Sequence, residues 1–443
     1  MFGKSFVYIL LVFLVLESKC APKKTFRSNI CDGTDSLKKE IASYDDVVKN
    51  ILDYTIAGAF KGKTYDELAK FVDKFGARPS GSDVLENSID YMIDLSRKEG
   101  LNDIVTEDVE VPCWIRGEEK ITMLEPRSKN IAVLGLGYSV STPSDGITAE
   151  VIVITDFTQL DNTPEDQIKG KIVLYVPVFT TYGETVKYRS QGASKASAKG
   201  AIASLVRSIA PFSIDTPHTG SQTYADDIDP IPTAAISLED ADLIARMYAR
   251  GEKIILHIRM FSTVENKTSR NTIIDLKGSE NPEKLVIVSG HIDSWDVGQG
   301  AMDDGGGLFV TWAAPVIMKR LNLKPRRTIR AIFWTAEELG LIGARAYKKE
   351  HENELDSINF IMESDEGTFA PLGLAVAGTE EARCIVSEIL KLFKSINAST
   401  LVEEDSPGSD IAIFTGEGMP GASLYNDNEK YFWFHHTEGD TMN

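Results

Sequence analysis

Beyond Arg270 the chain alternates short apolar runs with stretches of helical periodicity, and every apolar run ends on acidic residues or a histidine. Leu285–Ser289, Thr328–Trp334 and Ser357–Met362 are brief and rich in branched and aromatic side chains, as strands buried on both faces require. Leu308–Leu321, Ile342–Glu350 and Glu380–Ile396 repeat their apolar positions at helical spacing. This alternation predicts an α/β fold, a sheet covered by helices on both faces.

Ligands of open α/β sheets bind beyond the C-terminal ends of the strands, so the residues just past each run decide the chemistry. The three runs lead into Gly290-His291-Ile292-Asp293, Thr335-Ala336-Glu337-Glu338 and Glu363-Ser364-Asp365-Glu366. Asp303-Asp304-Gly305-Gly306-Gly307 lies between the first run and its helix, where glycines let the backbone approach an ion closely. Phe434-His435-His436-Thr437 adds imidazoles. Imidazoles and carboxylates without thiols suit zinc, with cobalt or manganese as substitutes. Two dications held close together repel, and a bridging carboxylate offsets that repulsion at a spacing of about 3.5–4 Å. Of the adjacent Glu337 and Glu338, one can bind metal while its neighbour takes a proton from water and delivers it to a leaving amine.

Each piece alone has a bland reading. A His-x-Asp after a strand is commonly structural, a Glu-Glu pair is commonly a solvated turn, and Asp304 suits a helix entry near the positive end of the dipole. Their joint occurrence at three successive strand ends, in a chain with six histidines, favours a site. His257 in an alternating strand, His218 in a Pro- and Thr-rich loop and His351 after the lysines of a helix end read as structural.

Residues 36–99 alternate helical patterns with breaks, among them the turn-rich Gly76-Ala77-Arg78-Pro79-Ser80-Gly81-Ser82. From Asn130 the rhythm changes to short strand candidates: Asn130–Leu134, Ala149–Ile154, Lys171–Val176 and Ile254–Ile258, with one helix over Leu238–Arg250. Residues 117–264 are therefore expected to form a β-rich insert with few helices. It would divide a catalytic domain into a first part, 21–116, and a main part, 265–443.

The N-terminus reads as an address. Lys4 precedes an apolar run from Val7 to Leu16, and Ser18-Lys19-Cys20 offers a cleavage site, placing a signal peptide at 1–20. That run is too short for the roughly 20 residues of a membrane span, so no anchor is expected after cleavage. The expected address is secreted, or on the way there in the endoplasmic reticulum, Golgi or lysosome. Cleavage leaves Cys31, Cys113 and Cys384, which permit one disulfide of undetermined pairing. Asn266-Lys267-Thr268 and Asn397-Ala398-Ser399 are glycosylation acceptors. A formal net charge of −19 disfavours nucleic acid and anionic membranes, and neither is expected as a partner.

Assembled in order, Ser289-Gly290-His291-Ile292-Asp293, Ala301-Met302-Asp303-Asp304-Gly305-Gly306-Gly307, Thr335-Ala336-Glu337-Glu338-Leu339-Gly340, Glu363-Ser364-Asp365 and His436-Thr437-Glu438-Gly439-Asp440-Thr441 resemble the M28 family of co-catalytic zinc exopeptidases. Ser409-Asp410, Phe414 and Gly418-Met419-Pro420 are similar to that family's late loop, and the insert resembles a protease-associated domain. The resemblance implies a mixed sheet of the zinc-exopeptidase type, two Zn²⁺ per chain and a homodimer. It implies one zinc on His291 and Asp365, the other on Glu338 and His436, Asp303 bridging both, Glu337 as general base and Asp293 orienting His291. His436 is chosen over His435 because it alone satisfies the family's His-Thr-x-x-Asp-Thr order. The implied activity is hydrolysis of small peptides or dipeptides, as a carboxypeptidase or dipeptidase. The rival readings are an aminopeptidase with the same metals, a non-catalytic binding module on the same fold, and a one-zinc glutaminyl cyclase. The family's catalytic domain continues into a further helix, whereas this sequence stops at Asn443, so that helix is expected to be missing.

Overall fold

The computed structural model describes residues 35–367 and 369–442; the signal peptide read over 1–20 and Cys31 lie outside them. Fourteen strands join into one mixed sheet. In chain order they are β1 (Ile104–Glu125), β2 (Lys129–Ile131), β3 (Val133–Gly135), β4 (Ile147–Ile154), β5 (Ile172–Tyr175), β6 (Ala203–Arg207) and β7 (Thr233–Ile236). There follow β8 (Ile255–Leu276), β9 (Asn281–His291), β10 (Arg327–Trp334), β11 (Ile358–Glu363), β12 (Pro371–Ala377), β13 (Thr400–Glu403) and β14 (Gly421–Asn426). The order across the sheet is β13-β12-β14-β11-β9-β10-β8-β4-β5-β6-β7-β3, with β1 paired to β8 and β2.

The three strands expected to carry the site are neighbours and parallel, with β9 between β11 and β10. Trp334 aligns with His291 and Glu363 with Ser289, so the three C-terminal ends reach the same edge. The chain leaves β9 for β10 on one side and then crosses to β11 on the other. That reversal opens a crevice at the end of β9, where a doubly wound sheet binds its ligand.

Both faces are covered, as the apolar runs require. Ala331 and Phe333 of β10 pack with Phe71, Leu85, Met92 and Trp312 from the helices Lys63–Phe75, Asp83–Lys98 and Gly306–Arg320. Ile332 and Trp334, one residue out of phase, face the opposite way toward Tyr347 and Phe414. Alternate side chains of one strand thus feed two cores.

β1 and β8, each 22 residues long, pair antiparallel from Ile104 opposite Ile274 to Glu125 opposite Ile255, with an irregularity between Arg116 and Glu119. The limits expected for the insert, near 117 and 264, fall inside this ribbon. Beyond it, β4 to β7 run parallel around their own apolar clusters. This stretch holds more helix than the sequence pattern suggested. Phe157–Asn162, Glu165–Ile168, Tyr182–Thr185, Lys187–Ser190 and Gly192–Ala198 are helical, but at 4–7 residues they are too short to display a period. Cys384 is disulfide-bonded and Cys113 is free and buried. Both acceptor asparagines, Asn266 and Asn397, are exposed. Among the described residues no helix is long and apolar enough to cross a membrane.

Trp312 has no exposed surface and its ring lies 5.8 Å from Phe309 of its own helix and 6.5 Å from Phe60, tying that helix and the Phe60 segment to the sheet. Trp312→Ala should cost about 3–5 kcal/mol, read as a lower denaturant midpoint at unchanged slope.

Candidate metal centre

Four buried ions bonded mainly to backbone shape the strand ends. Asp304 accepts the N–H of His291 at 3.1 Å and that of Gly307 at 2.8 Å, clamping the end of β9 to the first turn of the following helix. This is the helix-entry role, with the acid at the positive helix end. A Cβ on Gly307 would meet the Ser364 carbonyl oxygen, so only glycine allows this approach. Asp440 accepts the N–H groups of Ala301, Met302 and Asp303 at 2.9, 2.8 and 3.2 Å, fixing the loop that carries Asp303. Arg78, wholly buried, donates to the carbonyls of Gly76, Ile292, Gln299 and Gly300 at 2.7–3.0 Å and so staples the loop after β9.

Asp293 is the fourth. Its two carboxylate oxygens accept the N–H groups of Glu337 at 3.0 Å and Glu338 at 3.3 Å. The role expected of this carboxylate is to orient His291. Its oxygen instead stands 3.7 Å from Nδ1, and the Asp293 backbone carbonyl takes the closer contact at 3.0 Å. A carbonyl only accepts, so Nδ1 carries the proton and Nε2 presents its lone pair inward. His436 is fixed the same way: Nδ1 lies 3.1 Å from the Thr219 carbonyl oxygen, again leaving Nε2 free.

The inward-facing atoms fall into two sets that share one residue. His291 Nε2 is 3.2 Å from Asp303 Oδ1 and 3.2 Å from Asp365 Oδ1. His436 Nε2 is 3.1 Å from Asp303 Oδ2 and 3.1 Å from Glu338 Oε2. The two oxygens of Asp303 thus face two different histidine–carboxylate sets. His435 Nε2 lies farther from Asp303, at 3.5 Å, and its ring stacks on His436 at 3.5 Å between centroids. Glu337 binds neither set closely. Its Oε2 is 4.0 Å from His291 Nε2, while Oε1 accepts the Ser409 hydroxyl.

The donor set fits divalent cations. Asp303 Oδ2 and Glu338 Oε1 are buried without a hydrogen-bond partner, an arrangement that is costly unless a cation meets them. Burial, reinforced by the charges of Asp303 and Glu337, pushes the Glu338 carboxyl well above its usual range. Asp365 is pushed the same way by burial, against the pull of His291. Burial would lower the His291 imidazole, but Asp293, Asp303 and Asp365 outweigh it and raise it well above its ordinary value. Burial likewise favours protonated Asp303, yet His291 and His436 hold it well below the carboxylate range. Without metal, protons must supply the positive charge that this cluster demands.

All five expected ligands therefore converge, together with Glu337. Arg78, Asp440, Thr219 and Ser409 complete the surroundings without having been assigned roles from sequence. Three of these act through backbone groups, which leave no signature in residue type. His218, read as structural, reaches the His435 carbonyl with Nδ1 at 2.7 Å and so braces the same turn. His257 bonds to Thr148, and His351 to Glu107 and Glu354, away from the site. The centre opens into a cavity of about 230 Å³, walled also by Tyr182, Arg189 and Ser221 from the insert.

A sequence profile for peptidase family M28 matches residues 271–443. Carboxypeptidase Q of Xenopus laevis is 48% identical over 92% of this chain and 87% of its own length. Carboxypeptidase Q of Homo sapiens is 46% identical over 96% of this chain and 90% of its own. The crystal structure of a peptidase M28 precursor from Shewanella amazonensis SB2B superposes with a TM-score of 0.86 at 32% identity, covering 91% of this chain and 92% of that one.

The charge balance sets a pH test. Glu338 and Asp365, raised well above their usual values, and Asp440, raised to about 6 mainly by burial, keep protons that the unfolded chain loses near pH 4. Folding therefore binds protons there, and stability falls as pH rises. The raised His291 acts in the same direction: its contribution is full below the unfolded value of about 6.5 and is lost as pH climbs through the folded one. Asp303, held low, contributes above about pH 4 and loses its contribution only in stronger acid. Chelator-treated protein should melt at a lower temperature at pH 8 than at pH 5, and added zinc should abolish that difference. An equal decline with and without metal would refute this account.

Proposed function

The chain belongs to peptidase family M28 and is a metallopeptidase; on that premise we propose that it is a two-zinc carboxypeptidase acting on short peptides or dipeptides. The observation that carries the reading is Asp303, whose two oxygens face separate histidine–carboxylate sets. In this reading His291 and Asp365 would hold one zinc and Glu338 and His436 the other, with Asp303 placed to serve both. Such ions supply Lewis acidity at a carbonyl oxygen and make water more acidic.

Glu337 is the proton carrier. It lines the cavity yet ligates neither set, and burial raises its pKa from the ordinary value. A carboxylate so placed accepts a proton from the attacking water and returns it to the leaving amine. The Ser409 hydroxyl donates to one of its oxygens, and Asp293 grips the backbone of Glu337 and Glu338, so both side chains keep their aim. The cavity volume of about 230 Å³ lies below the roughly 300–1,000 Å³ of drug-sized sites, which suits a short substrate. The exposed acceptors Asn266 and Asn397 accord with entry into the secretory route that residues 1–20 suggest. A protease-associated identity for the insert and a homodimeric assembly complete the proposal.

Metal analysis tests the bridge: Asp303→Ala should lose both ions after dialysis, where wild type keeps about two per chain. Retention of one ion would rule out the shared ligand. Glu337→Gln separates binding from chemistry, since glutamine keeps the size but cannot accept the proton. Turnover on dipeptides should fall about 10²–10⁴-fold with metal content unchanged. A fully metallated variant with near-normal turnover would refute the role.

A further inference from the structure

Arg189 is the only lysine or arginine among the described residues that line the cavity, in a chain of net charge −19. It comes from the insert, and only 6% of its surface is exposed. A buried guanidinium normally meets a carboxylate. Among the described residues Arg189 has neutral partners only: the Ser221 carbonyl at 3.3 Å, the Thr219 carbonyl at 3.4 Å and the Tyr182 hydroxyl at 2.9 Å. The first two are long, and a guanidinium has five N–H donors, so donors remain for a ligand.

The seat of this side chain is built for it. At Gly220 a Cβ would stand 2.3 Å from the guanidinium carbon, and the residue has φ of +143°, so bare backbone forms the bed on which the group lies flat. The same loop fixes the metal side of the cavity: Thr219 accepts from His436 Nδ1, and the Thr219 N–H donates to the His436 carbonyl at 3.0 Å. Tyr182 joins the two sides. It receives the Arg189 hydrogen bond and sets its ring edge-on to His435, which stacks on His436.

The charges decide what this wall can bind. The carboxylates lining the cavity are Asp303, Glu337, Glu338 and Asp365. In the reading proposed above three of them hold metal and Glu337 moves the proton. None is left to pair with a substrate's ammonium group, whereas one cation is left to pair with a carboxylate. We infer that Arg189, with Tyr182 beside it, binds the free α-carboxylate of the substrate and so directs cleavage to the C-terminal residue. This inference rests on the metallopeptidase reading for the placement of the scissile bond, but the binding itself can be measured without turnover.

The probes are a dipeptide analogue with a reduced, non-cleavable bond and a free α-carboxylate, and its C-terminal amide. Both are titrated into zinc-loaded protein by calorimetry. Wild type should bind the acid about 10–100-fold more tightly than the amide, the range of a charge-assisted hydrogen bond. Arg189→Met should bind both equally, with unchanged metal content and unchanged affinity for the amide, while Arg189→Lys should keep part of the preference. Equal affinity of wild type for acid and amide overturns the inference without recourse to any variant. So does a preference that survives in Arg189→Met, or an equal loss of both ligands in that variant. Hydrolysis of N-blocked dipeptides on the same wild-type sample reports separately on the reading itself: binding with the expected preference but no metal-dependent cleavage would leave the subsite standing and reject the peptidase mechanism.

Discussion

Asp303 sits where two demands collide. Its oxygens are buried beside His291 on one side and His436 on the other, with Asp365, Glu338 and Glu337 crowding the same space. Carboxylates so close together in a low-dielectric crevice repel strongly unless positive charge lies between them. Protons can supply it at the cost of a charged His291, and divalent cations supply it with that imidazole neutral. The rest of the catalytic half serves to hold this unfavourable cluster in place until cations arrive.

That holding is done mainly by charge against backbone. Asp440 caps three successive N–H groups of the Asp303 loop, Asp293 caps the two of Glu337 and Glu338, and Asp304 joins His291 to the helix beyond it. Arg78 performs the mirror role, donating to carbonyls of the loop after β9; burial pulls its pKa down to about 10, so it remains charged at neutral pH. A buried ion satisfied by backbone dipoles cannot swing away to a competing partner. Side chains on such loops keep their aim without secondary structure of their own.

This explains which parts of the molecule the sequence makes legible. The α/β half could be read because β9, β10 and β11 are buried on both faces and announce themselves as apolar runs. The converging histidines and carboxylates could be read because chemistry restricts a metal site of this kind to those residue types at strand ends. β1 and the later part of β8 escaped notice. Buried positions alternate at Val109, Val111 and Cys113 and again at Ile121 and Met123, but charged residues between Arg116 and Lys120 divide the pattern. Asp440 and Arg78 went unassigned for a different reason. Their partners are N–H and C=O groups, which every residue owns, so nothing in the partner sequences marks the contact. Asp293 does two jobs: its carboxylate stands 3.7 Å from His291 Nδ1 and raises that imidazole, and its oxygens accept the N–H groups of Glu337 and Glu338.

The ribbon also ties the stretch between β1 and β8 to the cavity. β1 and β8 stay paired from the catalytic core into the stretch they enclose, with register shifts only between Arg116 and Glu119 and between Met123 and Glu125, so the two halves share their longest strands instead of being joined by linkers. Bending such a pair breaks ladder hydrogen bonds along its length, whereas a loop connection would bend freely. The stiffness has a use at the far side, where Thr219 and His436 exchange a backbone N–H and a ring N–H and Arg189 faces the same cavity. An imidazole oriented by one half while rooted in the other tolerates little relative displacement, since a shift of about an ångström would turn Nε2 away from Asp303. Residues between β1 and β8 thus wall the cavity, tethered by the same strands that begin the sheet.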